Sequence, residues 1–168
     1  KAKELVKAMW HTYLLARNEE SFQHMLQYMT KDFVLIGTGK TELYSDLPTF
    51  IKALQADQEE AGITVFEIID EWYEVQLLSE DFCLVYGGLY IKEKPQGQKP
   101  ILADMDTRFS FVCQKKDGAI VLRNLHHSVP NIDQLPGEYY PRSITQTANE
   151  AIQKNLVLEK QLQLDSLT

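Results

Sequence analysis

Little in this sequence declares a chemistry outright. Only two cysteines, Cys83 and Cys113, stand among 168 residues, and both sit inside apolar runs. That excludes a disulfide-framed scaffold and fits reduced core thiols in a cytoplasmic protein. No stretch approaches the ~20 apolar residues of a membrane span, and no signal-peptide pattern opens the chain. Basic residues are in deficit: 17 Lys and Arg against 24 Asp and Glu leave a net charge of −7. The chain therefore lacks the basic face that tracks phosphates, and neither nucleic acid nor an anionic membrane is expected as a partner. No spacing resembles a zinc site, so neither a metal nor another cofactor is expected. Gly37-Thr38-Gly39-Lys40-Thr41 ends like a phosphate loop but lacks the first glycine at the required spacing, which excludes nucleotide hydrolysis there. Internal repeats and low-complexity segments are missing as well.

What is present is hydrophobic patterning. The hydrophobic fraction is 44% and the charged fraction 24%, ordinary for a globular domain with a proper core. Leu5, Val6, Met9, Trp10, Tyr13 and Leu14 recur at helical spacing over 3–17. Asn18 then reads as an N-cap, with Glu19 and Glu20 in the first turn. Phe22, Met25, Leu26 and Met29 give a second helix. A short strand over 32–36 ends at Gly37-Thr38-Gly39. Asp46 caps a third helix, whose stripe is Leu47, Phe50, Ile51 and Leu54 and which Gly62 ends. The runs 64–78, 82–92, 102–114 and 119–129 read as strands joined by short turns, with Asp117-Gly118 a hairpin signal. Helices first and sheet second make an α+β fold, a curved antiparallel sheet covered by three N-terminal helices. Residues 131–142, with two prolines and a glycine, read as an extended connector, and 143–168 as a C-terminal helix. With Lys1 in first place, a piece of a longer protein is expected.

Alternation along the last hairpin puts Asp106, Arg108 and Ser110 on one face, beside Asn124, His126 and Ser128. So polar a face in mid-sheet reads in two ways. It is a ligand pocket lined by Arg108, His126 and Ser128, or it is a structural network at a dimer interface or a wet solvent face. As a pocket, Arg108 would hold a carboxylate through its planar fork, and His126 would donate a hydrogen bond or sense pH. Trp10, Tyr13 and Phe33 are candidates to close the pocket, although packing alone explains their spacing. Tyr86 and Tyr90 share a strand face and fit a pocket or an interface equally. His127 points opposite to His126. Asp57, near the end of the third helix, reads as a solvated acid ahead of a buried base, and Asp70 and Glu71 face opposite ways, so no carboxylate pair and no catalytic residue is assigned.

The order of elements resembles the SnoaL-like branch of the nuclear transport factor 2-like superfamily, a cone-shaped fold, over about residues 3–130. The resemblance rests on Asp32-Phe33-Val34-Leu35-Ile36-Gly37-Thr38-Gly39 and on Asp106-Thr107-Arg108, Asp117-Gly118 and Leu125-His126-His127-Ser128. The same residues are similar to the association domain of calcium/calmodulin-dependent protein kinase, whose corresponding arginine and histidine line a polar pocket. Asn124 stands where members often carry a histidine, which argues against proton transfer there. The fold hosts sensors, scaffolds and enzymes such as ketosteroid isomerase. Residues 1–130 are thus expected to form the cone domain.

Leu164-Asp165-Ser166-Leu167-Thr168 resembles the opening of a GGDEF (diguanylate cyclase) domain, and the Pro-Gly-Glu-Tyr-Tyr-Pro segment resembles the connector of SnoaL-like domains that precede such modules. Ala148, Ala151, Asn155, Leu158 and Leu162 follow Ile144 at heptad spacing, a seam for a two-stranded coiled coil or for packing against the domain itself. The resemblance implies a bacterial regulatory domain that senses a small molecule, forms a homodimer and controls a covalently linked output module. A ligand-free dimerisation module and a small isomerase or dehydratase are the alternatives.

Overall fold

The computed structural model describes residues 1–61, 64–95, 97, 103–139 and 142–165. Gly62, expected to end the third helix, and residues 166–168 of the tail motif lie outside them. The chain divides into two units, Lys1–Pro130 and Asn131–Thr168.

The first unit is the expected α+β fold. Helix α1 (Ala2–His11) buries Val6, Met9 and Trp10 and continues as a π-helical turn, Thr12–Ala16. Arg17 closes that turn in the left-handed region at φ 42°, its N–H donating to the Thr12 carbonyl at 3.2 Å. Asn18 is the N-cap of α2 (Glu19–Leu26): its Oδ1 accepts from the Ser21 N–H at 2.9 Å. Asp46 does the same for α3 (Leu47–Ala61), accepting from Thr49 N–H at 2.8 Å.

The strands are β1 (Met29–Ile36), β2 (Leu43–Tyr44), β3 (Phe66–Leu77), β4 (Phe82–Glu93), β5 (Asp104–Lys116) and β6 (Ala119–Ser128). They form one curved, unclosed sheet in the order β2-β1-β6-β5-β4-β3. β3 to β6 form the expected antiparallel meander, and the β5–β6 turn places Asp117 and Gly118 at φ 51° and 80°, as a primed two-residue hairpin requires. Three features were not expected: the short β2, the parallel pairing of β1 with β6, and the start of β1 at Met29, which helical spacing assigns to the second helix but which pairs with Leu122.

The inner face of the sheet is apolar. Val85, Leu89 and Ile91 of β4, Phe109, Phe111 and Cys113 of β5, and Leu122 and Leu125 of β6 are buried against the helices. Thr107, the buried polar side chain of that face, donates its hydroxyl to the Leu89 carbonyl at 3.1 Å. Between Leu122 and Asn124 the register shifts, leaving Arg123 as a bulged extra residue. That shift keeps both Leu122 and Leu125 inward although they lie three apart, and it carries His127 inward with them. Cys83 and Cys113 are register partners and remain free thiols. No helix among the described residues is long and apolar enough to cross a membrane.

In the second unit, the connector expected to be extended turns twice instead. The Asn131 side chain accepts from the Asp133 N–H at 3.1 Å, and Gly137 at φ 85° permits the second turn. Helix α4 (Arg142–Asp165) follows, and its described side chains from Thr147 to Leu164 are exposed.

Candidate functional site

A cavity of about 120 Å³ lies between the helices and the inner face of the sheet. Met9, Trp10 and Tyr13 line it from α1 and the π-turn, Met25 from α2, and Phe50, Ala53, Leu54 and Asp57 from α3. Leu35, Gly37, Glu42 and Tyr44 line it from β1, β2 and the loop between them, and Leu125 and His127 from β6. Its size is close to that of voids that admit a benzene-sized molecule, roughly 150 Å³.

The polar groups are few and placed by the fold. Asp57 extends the inward stripe of Phe50 and Leu54. Its Oδ2 accepts from the Tyr13 hydroxyl at 3.3 Å and from Arg17 Nη2 at 3.1 Å. The left-handed Arg17 backbone ends the π-turn so that the guanidinium reaches Asp57 across the ring faces of Tyr13 (5.6 Å) and Phe66 (5.1 Å). Burial, then the Asp57 charge, push the Tyr13 hydroxyl up to about 12. Glu42 folds back over the Gly37–Gly39 loop, accepting from the Gly39 N–H at 2.8 Å. A side chain at Gly37 would collide with Glu42, so glycine there is a requirement of close approach.

Trp10 is 3% exposed, and its ring centroid lies 4.7 Å from that of His127. Among the described residues, Trp10 Nε1 and His127 Nε2 are the buried side-chain polar atoms without a hydrogen-bond partner. Both residues line the cavity. Burial, with a smaller contribution from the neighbouring His126, lowers the His127 imidazole from 6.5 to about 4, so the ring is neutral at physiological pH.

The expected pocket lay on the wrong face of the sheet. Arg108 and His126 are exposed on the outer face, away from the cavity. Arg108 pairs with Ser128 and Gly88, and His126 with Ser110. Tyr86 and Tyr90 join them there; Tyr86 packs edge-on against Trp72 at 6.1 Å, and Tyr90 pairs with Asp106. The outer face thus gathers Tyr86, Tyr90, Arg108, His126 and Ser128. The physical reason is burial: Phe109, Phe111 and Cys113 are the apolar alternates of β5 and must face the helices, and Thr107 shares their parity. Trp10 and Tyr13 do line the cavity. Phe33 is fully buried beneath it, 5.9 Å from Phe50. Asp57, expected to be a solvated acid, does keep 42% of its side chain exposed while Tyr13 and Arg17 hold its carboxylate. The residues that sequence reasoning missed are His127, Asp57, Glu42 and Tyr44. His127 shares the parity of Leu125, and Asp57 the inward stripe of α3, so both signals were present.

Glu71 does face inward, opposite to Asp70 in sequence. It accepts from Lys7 Nζ (2.6 Å), His11 Nε2 (2.8 Å) and the Tyr73 hydroxyl (2.9 Å), tying β3 to α1. Burial raises its carboxyl, but these hydrogen bonds outweigh burial and hold it below the usual range.

The SnoaL-like domain matches residues 6–132. The chain belongs to the SnoaL-like domain family. No curated protein matches it. Among solved structures, it is similar to a cystatin-like-fold domain of unknown function from Nostoc punctiforme, at 16% identity and TM-score 0.59, over 96% of this chain and 98% of that one. A candidate calcium/calmodulin-dependent protein kinase II association domain from Xanthomonas campestris is 21% identical, TM-score 0.58, over 79% of this chain and 89% of that one. A ketosteroid isomerase-like protein from Erwinia carotovora atroseptica is 18% identical, TM-score 0.58, over 77% and 96%. At these identities the likeness is one of fold. The SnoaL-like cone of this chain therefore carries a cavity between helices and sheet with its own set of polar groups.

Proposed function

We propose that the SnoaL-like unit is a small-molecule sensor, that two copies of the chain pair, and that α4 passes the signal to a C-terminal output module of the GGDEF type. The observation that carries the binding role is the unpartnered pair Trp10 Nε1 and His127 Nε2 on the cavity wall. Buried polar atoms cost about 1–3 kcal/mol each when unsatisfied. A ligand that supplies both partners recovers that cost and so binds the folded state selectively. Binding is favoured over turnover because Asp57, the acid that α3 contributes to the cavity wall among the described residues, is already engaged by Tyr13 and Arg17, and the neutral His127 is a weak base.

The signalling part rests on the tail. Leu158 and Leu162 of the heptad seam are 50% and 69% exposed, and Ala148, Ala151 and Asn155 lie on the same helix. A second copy would cover these apolar side chains in a parallel coiled coil, with Asn155 fixing the register. The resemblance of Leu164-Asp165-Ser166-Leu167-Thr168 to a GGDEF opening supports the reading of a cyclase as the output module.

A thermal-shift series with chemically diverse small molecules, run on the chain and on Trp10→Phe, tests the sensor role. A compound that raises the melting temperature of the unaltered chain and loses that effect in the variant supports it. A flat response throughout would leave a dimerisation module. For pairing, sedimentation equilibrium should show dimers that Leu158→Lys dissociates; a monomer at high micromolar concentration removes the signalling mechanism. An isomerase or dehydratase is the second reading, favoured by Asp57, Tyr13 and His127 sharing one cavity.

A further inference from the structure

The cavity's own chemistry narrows the class of ligand. Its charged wall residues are both acids, Glu42 and Asp57, and no lysine or arginine lines it among the described residues. Asp57 already shares its charge with Arg17 at 3.1 Å. Glu42 does not: its Oε2 accepts only from the Gly39 backbone, and among the described residues it forms no ion pair. Glu42 is itself exposed, and an anionic ligand entering past it would meet a carboxylate with no cation beside it among the described residues. The apolar part of the wall is aromatic, with Trp10, Tyr13, Tyr44 and Phe50 contributing ring surface. Indole, phenol and phenyl faces attract a cation, indole most strongly.

The second observation is the orphaned donor. Trp10 is 3% exposed, and its Nε1–H has no acceptor among the described residues. An ammonium group cannot satisfy a donor, so the ligand must also carry an acceptor, for which an oxygen is the most compact choice. A space of about 120 Å³ limits it to a compact molecule.

We propose that this cavity binds a small organic cation bearing a hydroxyl or carbonyl oxygen, an amino alcohol or its N-methylated form, with the cationic end at Glu42 among the rings and the oxygen accepting from Trp10. The inference rests on the cavity being the ligand site of a sensor and adds the chemical class. Gln at position 42 would keep an acceptor for the Gly39 N–H while removing the charge, so Glu42→Gln isolates electrostatics from loop structure.

The test is isothermal titration calorimetry of the whole chain with three probes: choline, its uncharged isostere 3,3-dimethylbutanol, and benzoate. Choline should bind roughly tenfold or more tightly than the isostere, and Glu42→Gln should remove that preference. Because the comparison of choline with its isostere uses the unaltered chain, it stands even where the variant folds poorly. Equal binding of choline and the isostere, or preference for benzoate, overturns the cation class while leaving the cavity a ligand site. Absence of binding by every probe at tens of millimolar overturns both.

Discussion

His127 should make the domain acid-labile in a defined interval. Its imidazole ordinarily protonates at 6.5 but, buried against Trp10, does so only at about 4 in the folded chain. In the unfolded chain the ring is free to take its proton below 6.5. The folded state's advantage is therefore complete above about pH 6.5 and falls as the pH drops towards 4. At about 1.4 kcal/mol per pH unit, the full loss is about 3 kcal/mol, and about 2 kcal/mol is gone by pH 5. Carboxylates interfere little in that interval. Asp32, Asp46 and Glu71 are held below their ordinary 3.8, 3.8 and 4.5, so their contributions fade only at lower pH. Urea unfolding at about pH 7.5 and about pH 5 measures the difference directly. The unaltered chain should lose about 2 kcal/mol between the two, and His127→Gln should lose almost none, whatever its own baseline stability. Equal losses in both proteins, or no loss in the unaltered chain, would refute the assignment of a buried neutral imidazole.

Three further outcomes follow from packing and capping. Gly87→Ala should destabilise by about 3 kcal/mol in chemical denaturation, because a Cβ there collides with the Trp72 backbone carbonyl and comes within 2.7 Å of the Phe109 ring. Leu122→Ala removes a fully buried side chain at the β-bulge and should cost about 2–5 kcal/mol in the same assay. Asn18→Ala removes the cap of α2 and should cost about 1 kcal/mol, whereas Asn18→Asp, which retains the acceptor, should restore most of it.

Most of the fold was legible because local signals and global packing agree along this chain. The Asn18 and Asp46 caps, the α1 and α3 stripes and the Asp117-Gly118 hairpin are each fixed within a few residues. They were read correctly because the physics that fixes them is equally local. The parallel partnership of β1 with β6 was not legible. Leu35 and Leu125 are register partners yet lie far apart in sequence, and nothing in either strand names the other. The π-helical turn also escaped notice: the Val6 to Leu14 stripe reads the same whether the last turn is α or π. Only the left-handed Arg17 marks the change.

The site shows how a correct periodicity can yield a wrong location. Alternation in β5 and β6 correctly grouped Arg108 with His126 and Ser128. It could not by itself say which face the helices cover. The polar face drew the assignment because polar residues carry recognisable chemistry. Yet a sheet with helices on one side must turn its apolar alternates towards them, and here those are Phe109, Phe111 and Cys113. Once that choice is made, the bulge at Arg123 decides the rest. Without it, the inward parity of Leu122 would continue through Asn124 and His126; with it, Leu125 and His127 turn inward. The bulging of Arg123, rather than its regular place in the ladder, therefore selects which of two adjacent histidines meets the cavity. Deleting Arg123 should remove the bulge yet keep that choice, because Leu122 and Leu125 would then lie two apart and both face inward with His127 still against Trp10, at the cost of the Arg123–Asp32 ion pair.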